Sequence, residues 1–310
     1  MRIAANFSIP ALEQQLQSQL TSVQWLTIPS EGPVEPFEAQ VLLTLPVGVN
    51  NLKEVIEAAR GLEWIHIFGT GADSFPIHTI NNQTLTCSRG ATSAAIAEWV
   101  LAMILSHDKR LPSSWIDTPP QAWNFADLQS LENKTLGLVG FGAIGQAIAK
   151  RALAFDMTVI AKVRQNRTSP MEGVTFVEEL STLLTQADHI VLALPATQAS
   201  QQLINAQAMA LMKPSAHLIN VARAGIIDHN ALKFALDNEQ LACASLDVTE
   251  PEPLPKGHWL YQHPKVRLSP HISWYSPVAM QRISDTFINN AIAFQQGLPL
   301  SGQVDTQAGY

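Results

Sequence analysis

Apolar positions follow two patterns along this chain, short strand-like runs and stretches at helical spacing, and the two keep exchanging places. In the first third, Arg2 to Phe7 predicts a short strand, and Ala11, Leu12, Leu16 and Leu20 recur as they would on one helix face. Val23 to Ile28 and Val41 to Leu45 predict strands, separated by a Pro-rich turn from Ser30 to Pro36. Leu52 to Arg60 predicts a helix closed by Gly61, and Trp64 to Phe68 a further strand. Ser93 to Lys109 is the longest early helical pattern, with Ile96, Trp99, Val100, Met103 and Ile104 on one broad face. Leu111 to Ser130 is rich in Pro and Trp and weakly periodic. It reads as the crossover out of a first domain and as an arm able to pack on another subunit, with Trp115 and Trp123 as buried anchors.

From Lys134 onward strand and helix alternate. Strands are predicted at Thr135–Gly140, Met157–Lys162, His189–Leu194, His217–Val221, Cys243–Val248 and Val266–Ser269. Helices are predicted at Ile144–Phe155, Val177–Ala187, Asn205–Met212 and Asn230–Glu239. Such alternation predicts a doubly wound parallel sheet, whose ligands lie beyond the carboxyl ends of the strands. Ser276 to Gln296 predicts one long helix, closed by Gly297 and returning to the first domain. No internal repeat or low-complexity segment interrupts the pattern.

One turn in this pattern carries chemistry. The apolar run Leu136–Val139 breaks into Gly140-x-Gly142-x-x-Gly145, and a helical segment follows at once. The first glycine permits a tight turn and the second lets a pyrophosphate approach the backbone. The third lets helix and strand pack closely, while the helix N-terminus attracts phosphate charge. The alternative is a tight strand–helix turn without a ligand. Gly69-Thr70-Gly71-Ala72-Asp73, behind the strand at Trp64, could hold a carboxylate on its backbone amides or be a simple strand-end turn.

Composition narrows the class. With 310 residues, 46% hydrophobic and 15% charged, the chain suits a globular enzyme of two domains. A net charge of −7 argues against nucleic acid or an anionic membrane as the main partner. Cys87 and Cys243 are far apart and fit neither a disulfide framework nor a metal motif, so a reducing compartment and no metal are expected. The N-terminus lacks the apolar core of a signal peptide, and no run approaches a bilayer span. The expectation is a soluble, cytoplasmic protein.

Three strand ends then draw attention. Asn220-Val221-Ala222-Arg223-Ala224-Gly225 places an Arg among small residues, suited to a bidentate grip on a carboxylate. Asp247-Val248-Thr249-Glu250-Pro251-Glu252-Pro253 and Ser269-Pro270-His271-Ile272-Ser273-Trp274 supply a Glu and a His. Singly, Arg223 could be a surface ion-pair partner, Glu252 a solvated loop acid and His271 a satisfied core histidine. Together they suit reduction of a 2-keto acid. A Glu beside a His orients the imidazole and favours its protonated form, giving a general acid useful near neutral pH. An Arg holds the anionic substrate and steadies charge developing on its oxygen.

The order and spacing of these motifs resemble the D-isomer-specific 2-hydroxyacid dehydrogenase family, which includes glyoxylate/hydroxypyruvate reductases, D-lactate dehydrogenases and phosphoglycerate dehydrogenases. Glu252 follows Asp247 by five residues and precedes His271 by nineteen, as the family pattern requires. The resemblance implies two Rossmann-like domains, a doubly wound parallel-sheet nucleotide domain (103–275) inserted in a smaller flavodoxin-like substrate domain (1–102 and 276–310). It implies that Arg223 binds substrate carboxylate and carbonyl, that His271 donates the proton, and that Glu252 orients the imidazole. Asp247 would meet the nicotinamide carboxamide, while Gly140, Gly142, Ala143, Ile144 and Gly145 would receive the pyrophosphate. Leu194, Pro195, Ser200, Val221 and Ala222 would complete the nucleotide contacts, alongside Arg223 and His271. Thr70 and Gly71 would join the carboxylate site, and a homodimer would form through the nucleotide domain.

The chain also departs from that pattern. NAD-dependent relatives place an Asp at the end of the second nucleotide-domain strand. Here Val163 fills the slot, with Arg164 and Arg167 following. Losing the carboxylate removes a ribose acceptor and a repulsive charge, and the arginines can neutralise a 2′-phosphate, so NADP is expected over NAD. The alternative is a pair of solvated loop arginines. Ala224 replaces a usual glycine, at little cost if its φ is negative. Ser273-Trp274-Tyr275 replaces small residues; Trp274 either narrows the substrate pocket or packs under the C-terminal helix. Arg89 either approaches the cleft or stays on the surface.

The resulting expectation is an NADPH-dependent reductase of glyoxylate or hydroxypyruvate. A phosphoglycerate dehydrogenase ranks second, since the chain ends soon after His271. A non-catalytic nucleotide-sensing scaffold, similar to the corepressors of this fold, is the rival from another class.

Overall fold

Parallel strands buried on both faces form the centre of each of two units, Met1–Thr92 with Ser276–Tyr310, and Ser93–Tyr275. The structure, a computed structural model, describes residues 1–310 except 21, 74, 124, 125, 165–167 and 308–310. The division falls at Thr92/Ser93, ahead of residue 102. The helix that begins at Ser93 shares one core cluster with Leu136, Leu138 and Ile148 of the second unit, so all of it belongs there.

The first unit runs β1 (Arg2–Ala5), α1 (Pro10–Gln19), β2 (Gln24–Thr27), β3 (Phe37–Glu38), β4 (Val41–Thr44), α2 (Leu52–Ala58), β5 (Ala59–Arg60), β6 (Trp64–Ile67) and β7 (Thr84–Cys87). Its five-stranded sheet has the order β2-β1-β4-β6-β7, all parallel, the winding of flavodoxin-like folds. β4 and β6 are wholly buried, as their continuous apolar runs require. α2 stops at Ala58 rather than Arg60, because Ala59 and Arg60 pair as a short strand with Phe37 and Glu38. β7 was not expected. Its threonines alternate with Leu85 and Cys87 and break the apolar run that marks a buried strand.

The second unit runs α3 (Ser93–Asp108), β8 (Thr135–Val139), α4 (Ala143–Leu153), β9 (Thr158–Lys162), β10 (Val174–Val177), α5 (Leu180–Gln186), β11 (His189–Leu192), α6 (Ala206–Ala210), β12 (His217–Asn220), α7 (His229–Asp237), β13 (Cys243–Leu246) and β14 (Val266–Leu268). Its seven parallel strands take the order β10-β9-β8-β11-β12-β13-β14. In sequence rank that is 3-2-1-4-5-6 with one added edge strand, so the order reverses between β8 and β11, where ligands of such sheets bind. β10 is the edge strand on the other side. The apolar residues from Val177 onward were expected as the start of a helix, but Val174–Val177 pairs with β9 and the helix begins only at Leu180.

No helix or strand forms between Leu111 and Ser130 among the described residues. Trp115 and Trp123 were expected as buried anchors, but they are 70% and 83% exposed. A segment without regular structure gives the indoles no apolar face of their own unit to cover. α8 (Pro277–Gln295) closes the first unit. Ser276 caps it by accepting from the Ala279 amide, Pro277 suits its first turn, and Phe287 stacks on Trp64 with centroids 5.5 Å apart. Among the described residues no helix is long and apolar enough to cross a membrane.

Candidate active site

The glycine turn between β8 and α4 is built as its spacing requires. Gly140 has a φ of +101°, and a Cβ there would collide with the Ala193 carbonyl behind β11. A Cβ on Gly145 would come within 2.5 Å of the Gly140 carbonyl oxygen, so this glycine lets helix and strand approach. At Gly142 a Cβ would meet nothing within 4 Å. Gly142 is also the N-cap of α4 and offers no side-chain cap, so the first-turn amides at Ala143 and Ile144 face open space. A dinucleotide pyrophosphate fits there: the cradle is open, the amides are uncapped and the helix dipole favours anions.

Across the reversal point, Leu194 and Pro195 follow β11. Ser200 is buried and its hydroxyl is engaged within this loop, donating to the Pro195 carbonyl at 2.9 Å and accepting from the Thr197 amide at 2.8 Å. It shapes the turn that carries Pro195. At the end of β9, Val163 is half-buried and packs against the core cluster, Arg164 is exposed, and Arg167 lies outside the described residues.

Arg223 and His271 follow β12 and β14, and Glu252 lies in the loop after β13; these are three neighbouring strands of one sheet. Buried Asn220 shapes the first of these loops. Its Oδ1 accepts from the Ala222 amide and its Nδ2 donates to the Arg223 carbonyl. The guanidinium of Arg223 donates to the Ala222 carbonyl at 2.7 Å. Ala224 opens a 3-10 turn with negative φ, so the missing glycine costs no strain. His271 Nδ1 lies 2.9 Å from Glu252 Oε2, with both side chains 40% exposed. The Thr249 amide holds the other carboxylate oxygen at 2.9 Å. His271 Nδ1 is thus tied to Glu252, and Nε2 is the ring nitrogen that this pair does not use.

Asp247 is 1% exposed and clasps the histidine loop. Its carboxylate accepts from the amides of Ile272 and Ser273, each at 2.9 Å, and from the Ser269 hydroxyl. Its carbonyl accepts the His271 amide at 2.8 Å. The clasping roles of Asn220, Asp247 and Ser269 were not foreseen; the only signal was polar residues placed at the very ends of apolar strands. Trp274 donates its indole N–H to the His271 carbonyl at 2.9 Å. Thr70 and Gly71 follow β6 of the first unit, where Arg89 is exposed and reaches the Gln303 carbonyl.

The family described as D-isomer specific 2-hydroxyacid dehydrogenase, NAD binding domain, matches residues 101–273. The chain belongs to the D-isomer-specific 2-hydroxyacid dehydrogenases. The dehydrogenase is 34% identical over 258 residues to a glyoxylate reductase of Thermofilum pendens, covering 79% of this chain and 75% of that protein. It is 31% identical over 247 residues to a D-3-phosphoglycerate dehydrogenase of Methanocaldococcus jannaschii, covering 78% and 47%. Its fold is similar to that of a D-isomer-specific 2-hydroxyacid dehydrogenase from Xanthobacter autotrophicus Py2, solved with NADPH and MES. That likeness has a TM-score of 0.86 at 24% identity, covering 100% of this chain and 99% of the other. The dehydrogenase is therefore an NAD(P)-dependent oxidoreductase.

Proposed function

We propose that this dehydrogenase reduces a short 2-keto acid of the glyoxylate and hydroxypyruvate class to the D-2-hydroxy acid, with NADPH preferred and NADH as the alternative donor. The observation that carries this reading is the His271–Glu252 pair, joined at 2.9 Å on the sheet end that also bears Arg223. The glyoxylate reductase of Thermofilum pendens, 34% identical, supports the substrate class.

The bound nicotinamide supplies the hydride. His271, oriented through Nδ1 by Glu252, donates the Nε2 proton to the carbonyl oxygen as the carbon is reduced. Arg223 grips the substrate carboxylate and steadies negative charge growing on the carbonyl oxygen. The first-turn amides of α4, with Gly140, Gly142 and Gly145, receive the pyrophosphate. Leu194, Pro195, Val221 and Ala222 would flank the nucleotide, and Asp247 would meet the nicotinamide carboxamide. The first unit, which carries Thr70 and Gly71 behind β6, is the substrate domain and the second the nucleotide domain.

Preference for NADPH follows from Val163, which offers the ribose no carboxylate, and from Arg164 and Arg167 beyond it. A homodimer through the nucleotide domain would cover the exposed Trp115 and Trp123. Two free, buried cysteines suit a reducing, cytoplasmic setting. The similarity to a phosphoglycerate dehydrogenase favours a second reading, oxidation of a phosphorylated hydroxy acid. Following NADPH and NADH absorbance with glyoxylate, hydroxypyruvate and 3-phosphohydroxypyruvate separates the two. Turnover confined to the phosphorylated substrate would overturn the first reading.

A further inference from the structure

The residue after a catalytic histidine loop is usually judged by whether it lines the pocket, yet the polar edge of Trp274 points back at the chain. His271 has a φ of +52°, a left-handed conformation that a non-glycine residue adopts only under strain. Three backbone amides on the N-terminal side of this loop are held by Asp247: His271 by its carbonyl, Ile272 and Ser273 by its carboxylate. The remaining polar group of His271, its carbonyl, accepts the Trp274 indole N–H at 2.9 Å. The ring itself is anchored, packing against the core cluster that contains Phe141, Ile219 and Val221, and meeting Tyr275 edge to face at 5.5 Å.

The geometry points to Trp274 as a positioning residue for His271, acting through the carbonyl of the strained histidine rather than through contact with substrate. Asp247 and Trp274 hold the peptide plane that follows the imidazole-bearing carbon from its two ends, Asp247 through the Ile272 amide and Trp274 through the His271 carbonyl. Together they leave the imidazole little rotational freedom except along its bond to Glu252. Without the indole N–H, the carbonyl loses its partner and the left-handed φ loses one of its restraints, so the Nε2 direction spreads. The effect falls on proton transfer in the transition state and not on ground-state binding. This inference rests on the reading of His271 as the proton donor.

The test compares the wild type with Trp274→Phe and with the β-(3-benzothienyl)alanine isostere at position 274, which exchanges only the N–H for sulfur and keeps the ring shape. With glyoxylate and NADPH, kcat is expected to fall about five- to tenfold in both, the value of one lost hydrogen bond, while KM moves less than about twofold. The imidazole 15N resonances of His271 should shift in both. A rise in KM at unchanged kcat overturns the inference in favour of a substrate contact, and unchanged kinetics with unchanged resonances also overturns it. If the wild type turns over no 2-keto acid, the functional reading fails separately. The resonances then decide alone: shifted signals support positioning by Trp274 and unshifted ones overturn it.

Discussion

The backbone amide of Thr249 donates to Glu252 Oε1 at 2.9 Å, which fixes the carboxylate so that Oε2 meets the imidazole of His271 at the same distance. One Glu252 oxygen is thus spent on its own loop while the other meets the imidazole. Replacing Glu252 by Gln keeps the size and one acceptor but removes the negative charge beside the imidazole. The expected result for Glu252→Gln is a kcat lower by about 100-fold with little change in KM, the range of a lost acid–base contribution. Stopped-flow NADPH oxidation with glyoxylate measures it. A change confined to KM would remove Glu252 from the proton-transfer machinery.

Cofactor choice gives a second prediction. Arg164 is exposed just beyond β9, and Val163 in the slot before it packs into the core without offering a carboxylate. Reversing the charge with Arg164→Glu should lower kcat/KM for NADPH by about tenfold or more while leaving NADH use within about twofold, since a carboxylate there would repel a 2′-phosphate that NADH lacks. Equal losses with both donors would show that Arg164 does not read the 2′-phosphate.

Much of this architecture was legible because it is written in long apolar runs. β8 and α4 around the glycine turn appear within two residues of their expected bounds, since a buried strand and a helix differ most clearly where both are long. The edge strands β7 and β10 were invisible because Thr84-Leu85-Thr86-Cys87 and Val174-Thr175-Phe176-Val177 interrupt their apolar residues with threonines and so form no continuous apolar run. At the site, Arg223, Glu252 and His271 stood out by residue type and position after strands. The clasp by Asp247 did not, because a carboxylate accepting two successive amides depends on a loop conformation, including the left-handed His271, that residue identity alone does not specify. The exposure of Trp115 and Trp123 was missed for the opposite reason: tryptophan is usually buried, and that prior ignores whether anything is there to bury it.

The glycine turn should tolerate no side chain at its first position. Gly140→Ala forces a Cβ into the Ala193 carbonyl at a φ of +101°. It should destabilise the second unit by about 1–3 kcal/mol and weaken nucleotide binding as the turn shifts. Gly142→Ala, whose Cβ would meet nothing within 4 Å, should leave the apo protein's melting temperature nearly unchanged yet weaken nucleotide binding. Thermal melts with and without NADPH separate the two. Equal stability losses would mean that the space at Gly142 serves no ligand.

Exposed apolar side chains on the arm predict association. Trp115, Ile116, Trp123 and Leu128 are 70%, 55%, 83% and 46% exposed along one short segment. Light scattering should report a dimer for the wild type and a shift toward monomer for the Trp115→Ser/Trp123→Ser double variant. A monomeric wild type at micromolar concentration would dismiss the dimer.

Buried imidazoles set the response to acid. In the first unit, burial pushes His66 down to about 3, and its nitrogens sit against the hydroxyls of Thr86 and Ser88. In the second unit His107, His189 and His217 cluster with ring centroids 4.7–6.2 Å apart, beside Asp108, Lys134 and Arg267. Burial pushes His107 down to about 4, with Asp108 opposing and the neighbouring cations adding, and it pushes His217 well below its ordinary value. Burial raises the Asp108 carboxyl, but His189 and Lys134 outweigh it and hold it below the usual value of 3.8. Well above pH 6.5, His66, His107 and His217 are neutral in both folded and unfolded chains and contribute no pH dependence. As the pH falls below 6.5, the unfolded imidazoles bind protons while the buried ones do not, so stability is lost progressively toward about pH 4 for His107 and about pH 3 for His66. Each such group adds up to ~1.4 kcal/mol of lost stability per pH unit in its window. The Asp108 contribution persists to lower pH and disappears only below 3.8. Urea midpoints followed by circular dichroism should therefore fall steadily from pH 7 to pH 5. His66→Gln should be less stable at pH 7 but show a shallower slope with pH; a slope parallel to the wild type would mean that His66 binds a proton equally well in the folded and unfolded chains.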